Sequence, residues 1–250
     1  MQEPRAPAPL PPEDCAVLEL RQYTLHPHQR DVLIDLFDRE FVETQEAHGM
    51  RVIGQFRDLD RPDRFVWLRG FADMPARHRA LEGFYAGPIW AAHRSAANAT
   101  MIDSDNVLLL RPAWPAAMAA LPRRPRPAPG ASAPAPGMLA ATVFHLREPA
   151  PAALMDFCRG PQAAALQWGG AHPVAWLCTE AGANTFSRLP VREGEHVLVA
   201  LALQGGEVPL EALAASAAAL RDAAPALGQC MAREPEILRL QPTARSALYA

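Results

Sequence analysis

Val17–Leu25 reads VLELRQYTL and Arg64–Phe71 reads RFVWLRGF. The fold follows from taking these two runs as neighbouring strands with two unlike faces. In the first, Leu18 and Leu20 alternate with Glu19, Arg21 and Tyr23; in the second, Val66, Leu68 and Gly70 alternate with Phe65, Trp67, Arg69 and Phe71. Period-two alternation of this kind marks a strand whose two sides meet different surroundings. One side is aliphatic. The other mixes aromatic rings with guanidinium and carboxylate groups.

Working outward, Pro27 admits a helix start, and Leu33, Leu36, Phe37 and Phe41 recur at helical spacing opposite Asp31, Asp35, Asp38, Arg39 and Glu46. Gly49 is a natural helix stop. Residues 50–57 form a strand joined to 64–71 through the turn-rich DLDRPD. A helical region over 73–101, interrupted at Gly87 and Pro88, leads to a short apolar strand at 106–111 (NVLLLR). The order is β-α-β-β-α-β. After residue 137 it recurs: strand 138–147, a helix over 152–166 weakened at Gly160 and Pro161, strands 174–179 and 196–204, helix 209–224, and strand 237–240. Repetition of one element order is the mark of a duplicated module, here a ferredoxin-like split βαβ unit.

The division that results is a disordered leader at 1–15, a first module at 16–111, a linker at 112–137 and a second, diverged module at 138–250. The linker, PAWPAAMAALPRRPRPAPGASAPAPG, favours extended polyproline conformation and, at about 3.1 Å per residue, has the reach to carry the chain between distant edges. Half of the 250 residues are apolar, enough for one large or two small cores. The net charge of −3 comes without a basic stripe, which excludes nucleic acid as an expected partner. All 24 basic residues are arginine, a composition typical of high-GC bacterial genomes. Cys15, Cys158, Cys178 and Cys230 are too scattered for a zinc site or a disulfide framework. No apolar run approaches the roughly 20 residues of a membrane helix, and the proline-rich, acid-containing start resembles neither a secretory nor a transit peptide. A cytoplasmic protein is the expectation.

Tandem ferredoxin-like modules leave one side of each sheet to be covered. If Leu18, Leu20, Val66, Leu68 and Gly70 face the helices, the opposite side carries Glu19, Arg21, Tyr23, Gln55, Arg57, Phe65, Trp67, Arg69 and Phe71. That set suits a partly enclosed cavity between the two sheets. The second module's counterpart side, from Thr142 and Phe144 through Ala200 and Ala202, is smaller and more apolar, so the polar chemistry is expected on the first.

Glu19 to Leu25 (ELRQYTL), 49–56 (GMRVIGQF), 64–71, Trp90 to Arg94 (WAAHR) and 97–107 (ANATMIDSDNV) follow one another in an order that resembles the NIPSNAP family. In the second half, 184–186 (NTF), 188–197 (RLPVREGEHV), 238–240 and 242–246 (PTARS) are similar to two-module members. The resemblance implies a dimeric α+β barrel, with two ferredoxin-like sheets face to face inside one chain. The superfamily so implied includes cofactor-free monooxygenases, polyketide cyclases, haem-handling proteins and stress-response proteins. The second module departs from the pattern at Ala200 and Ala202, which argues against two symmetric sites.

The catalytic candidates are His93, Tyr23 and Arg69, with a proton handled by His93 or Tyr23 and a developing anion met by Arg21 or Arg69. The ligand-binding candidates are Arg21, Gln55, Trp67, Trp90, Asn98 and Phe144. The alternative, structural reading has His93, Arg94 and Asn98 tying their helix to a turn at 103–105, and Trp67 and Tyr23 simply filling space. No metal site and no cofactor is expected; haem would need an axial ligand, for which His93 and His145 are the candidates. The expected function is binding of a small apolar or mixed-polarity ligand in the barrel, extending to cofactor-independent catalysis of a monooxygenase or cyclase kind. The alternative is a non-catalytic interaction, trafficking or stress-response module acting through its outer helices or linker. Free edge strands would allow a homo-oligomer.

Overall fold

In the computed structural model, residues 14–119, 121–122, 124–166 and 168–250 are described, so the leader's first 13 residues lie outside it. The first module runs β1 (Val17–Leu25), α1 (Arg30–Leu36), one π-helical turn (Phe37–Phe41), α2 (Val42–Ala47), β2 (Arg51–Asp58), β3 (Arg64–Phe71), α3 (Met74–Ala86), α4 (Pro88–Asn98) and β4 (Met101–Pro112). The second runs β5 (Met138–Leu146), α5 (Ala152–Arg159), α6 (Pro161–Ala165), β6 (Pro173–Thr179), β7 (His196–Gln204), α7 (Leu210–Ala223), α8 (Pro225–Cys230) and β8 (Glu236–Pro242). The expected breaks fall where the sequence puts them: Gly49 stops the first helix at φ +87°, a left-handed conformation that favours glycine, and Pro88 and Pro161 each open a new helix.

The eight strands close in the order β1-β3-β2-β8-β5-β7-β6-β4. Within each module the order is the same, and the modules are joined where β2 pairs with β8 and β4 with β6. Closure consumes the edges that were expected to remain available for further assembly. β4 begins at Met101, five residues earlier than the apolar run suggested, because its irregular start pairs with the end of β1 through two register shifts.

The two faces are the reverse of the expectation. Leu18, Leu20, Val66 and Leu68 point into the barrel, where they meet Leu139, Ala141, Val143, Leu177, Val197, Val199, Leu238 and Leu240 of the second module in one cluster. Among the described residues the lumen is lined by an aliphatic core, not by the mixed aromatic and charged set expected between the sheets. Tyr23, Phe65, Trp67 and Phe71 instead pack under the first module's helices, as Phe144, Ala200 and Ala202 pack under the second's. The physical reason is hydrogen bonding. An eight-stranded barrel is just wide enough for side chains to fill, and it offers a charged group in mid-lumen no partner. The helices do offer partners, and each leucine enclosed in the lumen contributes roughly 1.5–3 kcal/mol.

The linker is folded onto this body. Ala113, Ala117, Met118, Leu121 and Ala135 are buried, Met118 and Leu121 within the lumen cluster. Arg126 donates to Glu46 Oε1 at 2.9 Å, to the Arg245 carbonyl at 2.8 Å and to the Val52 carbonyl. Cys15, assigned to the leader by composition, is buried in the same lumen cluster. Among the described residues no helix is long and apolar enough to cross a membrane, and no group of three or more His, Cys, Asp or Glu side chains is placed to hold a metal ion.

Candidate functional site

On the helix-facing side of the first sheet, β1 and β3 bring three pairs into register: Glu19 with Arg69, Arg21 with Trp67, and Tyr23 with Phe65. Glu19 is the hub. Its Oε2 accepts from Arg21 Nη1 at 2.6 Å and from Arg69 Nε at 2.9 Å, and its Oε1 accepts from Arg77 Nε of α3 at 2.6 Å. All four side chains are fully buried. Burial alone would push the Glu19 carboxyl up, but Arg69, Arg21 and Arg77 more than offset it and hold the group well below the usual carboxylate range. One carboxylate against three guanidiniums leaves this layer with an excess of two positive charges. Burial pulls Arg77 below its ordinary value, with Glu19 opposing.

The excess is spread over π faces and neutral acceptors. Arg21 lies 5.4 Å from the Tyr23 ring centre and 5.6 Å from that of Trp67, and Arg69 lies 4.9 Å from Trp67. Arg69 also donates to Gln45 Oε1 at 3.0 Å, and Gln45 in turn donates to the Phe41 carbonyl at 3.1 Å, coupling the charge layer to the π-helical turn. Arg77 reaches Asn184 Oδ1 at 3.1 Å and Thr185 Oγ1 at 3.4 Å, which brings a loop of the second module over the first. Arg21 Nε donates to Tyr23 Oη at 3.0 Å.

Above this layer is a cavity of about 330 Å3. Tyr23 and Trp67 form its floor, Phe37 and Phe41 of the π turn one wall, and Phe84, Tyr85 and Trp90 of α3 and α4 the other. π-helical turns are uncommon and concentrate at functional sites. Phe186, Arg188 and Leu189 of the second module's loop close the roof, Phe186 stacking on Tyr85 at 5.9 Å. Trp90, Arg94 and Asn98, four residues apart on α4, present one stripe to the cavity. Trp67 Nε1 is buried and has no hydrogen-bond partner among the described residues. Burial pushes the Tyr85 phenol above its ordinary value, with Arg69 and Arg21 pulling the other way.

Of the sequence candidates, the cavity unites Tyr23, Trp67, Trp90 and Asn98. Arg69 and Arg21 lie in the charge layer beneath, engaged by Glu19. Gln55 is on β2, donating to Asp38 Oδ1 at 3.0 Å and accepting from Arg126 at 3.3 Å. His93 sits on the flank of α4 turned to Glu40, 3.6 Å away, because three residues along a helix fall short of a full turn while Arg94 overshoots it. Phe144 belongs to the other module, 6.2 Å from the Trp168 ring. His145, the other histidine weighed as a haem ligand, is buried 3.4 Å from Glu195. The turn expected at 103–105 is the bulged start of β4, where the Asp105 amide donates to Asp103 Oδ1 at 2.8 Å. The sequence reading missed Phe37, Phe41, Phe84, Tyr85 and Phe186; the signal was that the first module's helices carry rings where helices that only cover a sheet can be aliphatic.

No curated protein matches the chain. Residues 18–115 match the NIPSNAP family. An uncharacterized NIPSNAP-like domain protein from Burkholderia xenovorans is 25% identical over 37% of this chain and 81% of its own, with a TM-score of 0.35. Over nearly the whole length, a putative monooxygenase from Fusobacterium nucleatum subsp. nucleatum aligns at 8% identity, covering 91% of this chain and 92% of its own, with a TM-score of 0.53. A putative monooxygenase from Lactobacillus acidophilus covers 92% and 96% at 11% identity, with a TM-score of 0.50. At such identities these two likenesses show the fold alone, that of the dimeric α+β barrel. The first module thus matches the NIPSNAP family over residues 18–115, and a second module completes it into one barrel.

Proposed function

We propose that the chain binds a small molecule in the first-module cavity, with a flat apolar body among the rings and an acceptor atom on the Trp67 indole N–H. Trp67 is the observation that carries this. A buried donor without a partner costs about 1–3 kcal/mol, and the ring that carries this one lines an aromatic cavity of ligand size. A catalytic extension without a cofactor rests on Tyr23, whose oxygen accepts from Arg21 and whose own proton is therefore directed elsewhere, available to a ligand. The putative monooxygenases of like fold supply a reaction class for that extension and nothing finer. An interaction module acting through its linker has less support, since Arg126 and Met118 fix that segment to the barrel.

Calorimetric titration with 2-naphthol tests the reading. One saturable site is expected, weakened roughly three- to tenfold in Trp67→Phe by loss of a single hydrogen bond, and more strongly in Leu33→Phe, which adds bulk to the cavity wall. Absence of binding, or equal affinity in Leu33→Phe, would sink it.

A further inference from the structure

We infer that the ligand of this cavity is an organic anion, a flat apolar body ending in a carboxylate, whose charge is received at the mouth by Arg94 of the first module and Arg188 of the second. This rests on the cavity being the binding site. Among the described lining residues there is no Asp, Glu or His, and the polar groups are the Trp67 and Trp90 indoles, the Tyr23 and Tyr85 hydroxyls, Gln45, Asn98, Ser104, and the two guanidiniums. A site so rich in donors, with no acid among its lining residues, favours an acceptor-rich, negatively charged guest. Arg94 and Arg188 are exposed, and among the described residues neither has a carboxylate in ion-pair range, although most other arginines near the site do. The nearest engagement of Arg188 is the Phe186 ring, 4.8 Å away.

A second, independent observation lies beneath the floor. The Glu19 layer holds its excess of two positive charges fully buried, and Arg21 Nη2 and Arg77 Nη2 have no hydrogen-bond partner among the described residues. Such a field, weakly screened by water, raises the affinity of an anion placed above Trp67 and Tyr23. The head group is a carboxylate and not a phosphate because no glycine among the described lining residues lets backbone N–H groups cradle a phosphate. Each of the two guanidiniums at the rim is planar and suits a planar carboxylate. The mouth is completed only when both modules contribute, which gives the second module a binding role although its own sheet face carries no charged cluster.

The test uses the full chain and two probes of one shape, 2-naphthol and 2-naphthoate, titrated by calorimetry at pH 7 and low ionic strength. Wild type is expected to hold the naphthoate roughly ten- to hundredfold tighter than the naphthol, with the margin shrinking as salt is added. In the Arg94→Gln/Arg188→Gln double variant the margin between the two probes disappears while one saturable site for 2-naphthol remains, a result that loss of folding would not give. If wild type shows no preference, or the preference survives the double variant, while 2-naphthol still binds and Leu33→Phe weakens it, the anion assignment is overturned and the cavity stands as the site. If neither probe binds, both fall together.

Discussion

The outer faces of β1 and β3 in the first module and of β5 and β7 in the second are built on one register and filled with opposite chemistry. Where the first module pairs Glu19 with Arg69, Arg21 with Trp67 and Tyr23 with Phe65, the second pairs Ala140 with Ala202, Thr142 with Ala200 and Phe144 with Leu198. The space left by the small residues is occupied by Trp168, which meets Phe144 and Trp176 edge to face at 6.2 and 5.8 Å. Both modules bury an indole N–H without a partner among the described residues, Trp67 in one and Trp168 in the other. The difference is what surrounds it. Trp168 is embedded in the aliphatic cluster of α7 and α8, with Leu213 and Leu227, whereas Trp67 floors a cavity. On these two sheet faces one backbone plan thus surrounds one indole with packed side chains and sets the other under a cavity, and the buried charged cluster lies with the second of these.

The sharpest way to break the comparison is to remove the hub of the charged half. Glu19→Gln leaves three buried guanidiniums facing a neutral amide, and truncating one partner of a buried ion pair costs about 3–5 kcal/mol. With three cations left behind, the upper end is expected by urea denaturation. Thr142→Ala, the parallel change on the second module's face, removes only a hydroxyl that has no hydrogen-bond partner among the described residues, and little loss is expected. Equal losses in the two variants would mean that the Glu19 layer carries no special weight.

Much of this asymmetry can be read in the sequence, and the way it cannot be read is instructive. RFVWLRGF gives β3 its limits, Gly49 and the Gly87 and Pro88 pair give the helix ends, and Ala200 and Ala202 already mark the second module as the one without a charged face. Which face turns inward is not in the alternation. A strand repeats every two residues whichever side is the core, so the pattern is symmetric between the lumen and the helices. The tie is broken by residues remote in sequence: Gln45 and Arg77 supply the partners of Arg69 and Glu19, and Asn184 and Thr185 the partners of Arg77. The cue that was present is the match between modules, since Leu18, Leu20, Val197 and Val199 are all aliphatic and so can face one another without leaving a polar atom unpaired. The roof residue Phe186 had no periodic signal at all, lying in a loop whose position is set by Arg77.

Trp168→Ala sharpens the contrast from the packed side. Removing a fully buried indole costs about 3–5 kcal/mol, increasing with the cavity that persists, and the loss is expected to fall below that of Glu19→Gln because no charge is stranded. An apolar void of this kind takes up benzene, so benzene should raise the melting temperature of Trp168→Ala more than that of wild type. A loss under about 1 kcal/mol, within the range of ordinary surface substitutions, would show that the second half was not packed around Trp168.

The smallest expected effect contrasts two buried carboxyls of the first module. Glu19 is oversupplied with cations, whereas Asp38, in the π turn, accepts from Gln55 and is pushed up to about 6, because burial outweighs the favourable effect of the neighbouring Thr243, Gln55, Arg245 and Arg126. Its ordinary value is 3.8. The folded protein therefore holds this proton more tightly than the unfolded chain, and Asp38 contributes stability that is complete below 3.8 and lost as pH rises through about 6. Glu19 runs the other way, its contribution present above its ordinary 4.5 and lost as pH falls below that. Between about 4.5 and 6 Glu19 is constant, and the slope from Asp38 is opposed by His145, which burial and Arg233 hold below its ordinary value. His145 is common to wild type and Asp38→Asn, so the difference between their stabilities isolates Asp38. That difference should move in favour of the variant by up to about 3 kcal/mol from pH 4 to pH 7; a difference that stays flat across this range would show that Asp38 titrates in the folded protein as it does in the unfolded chain.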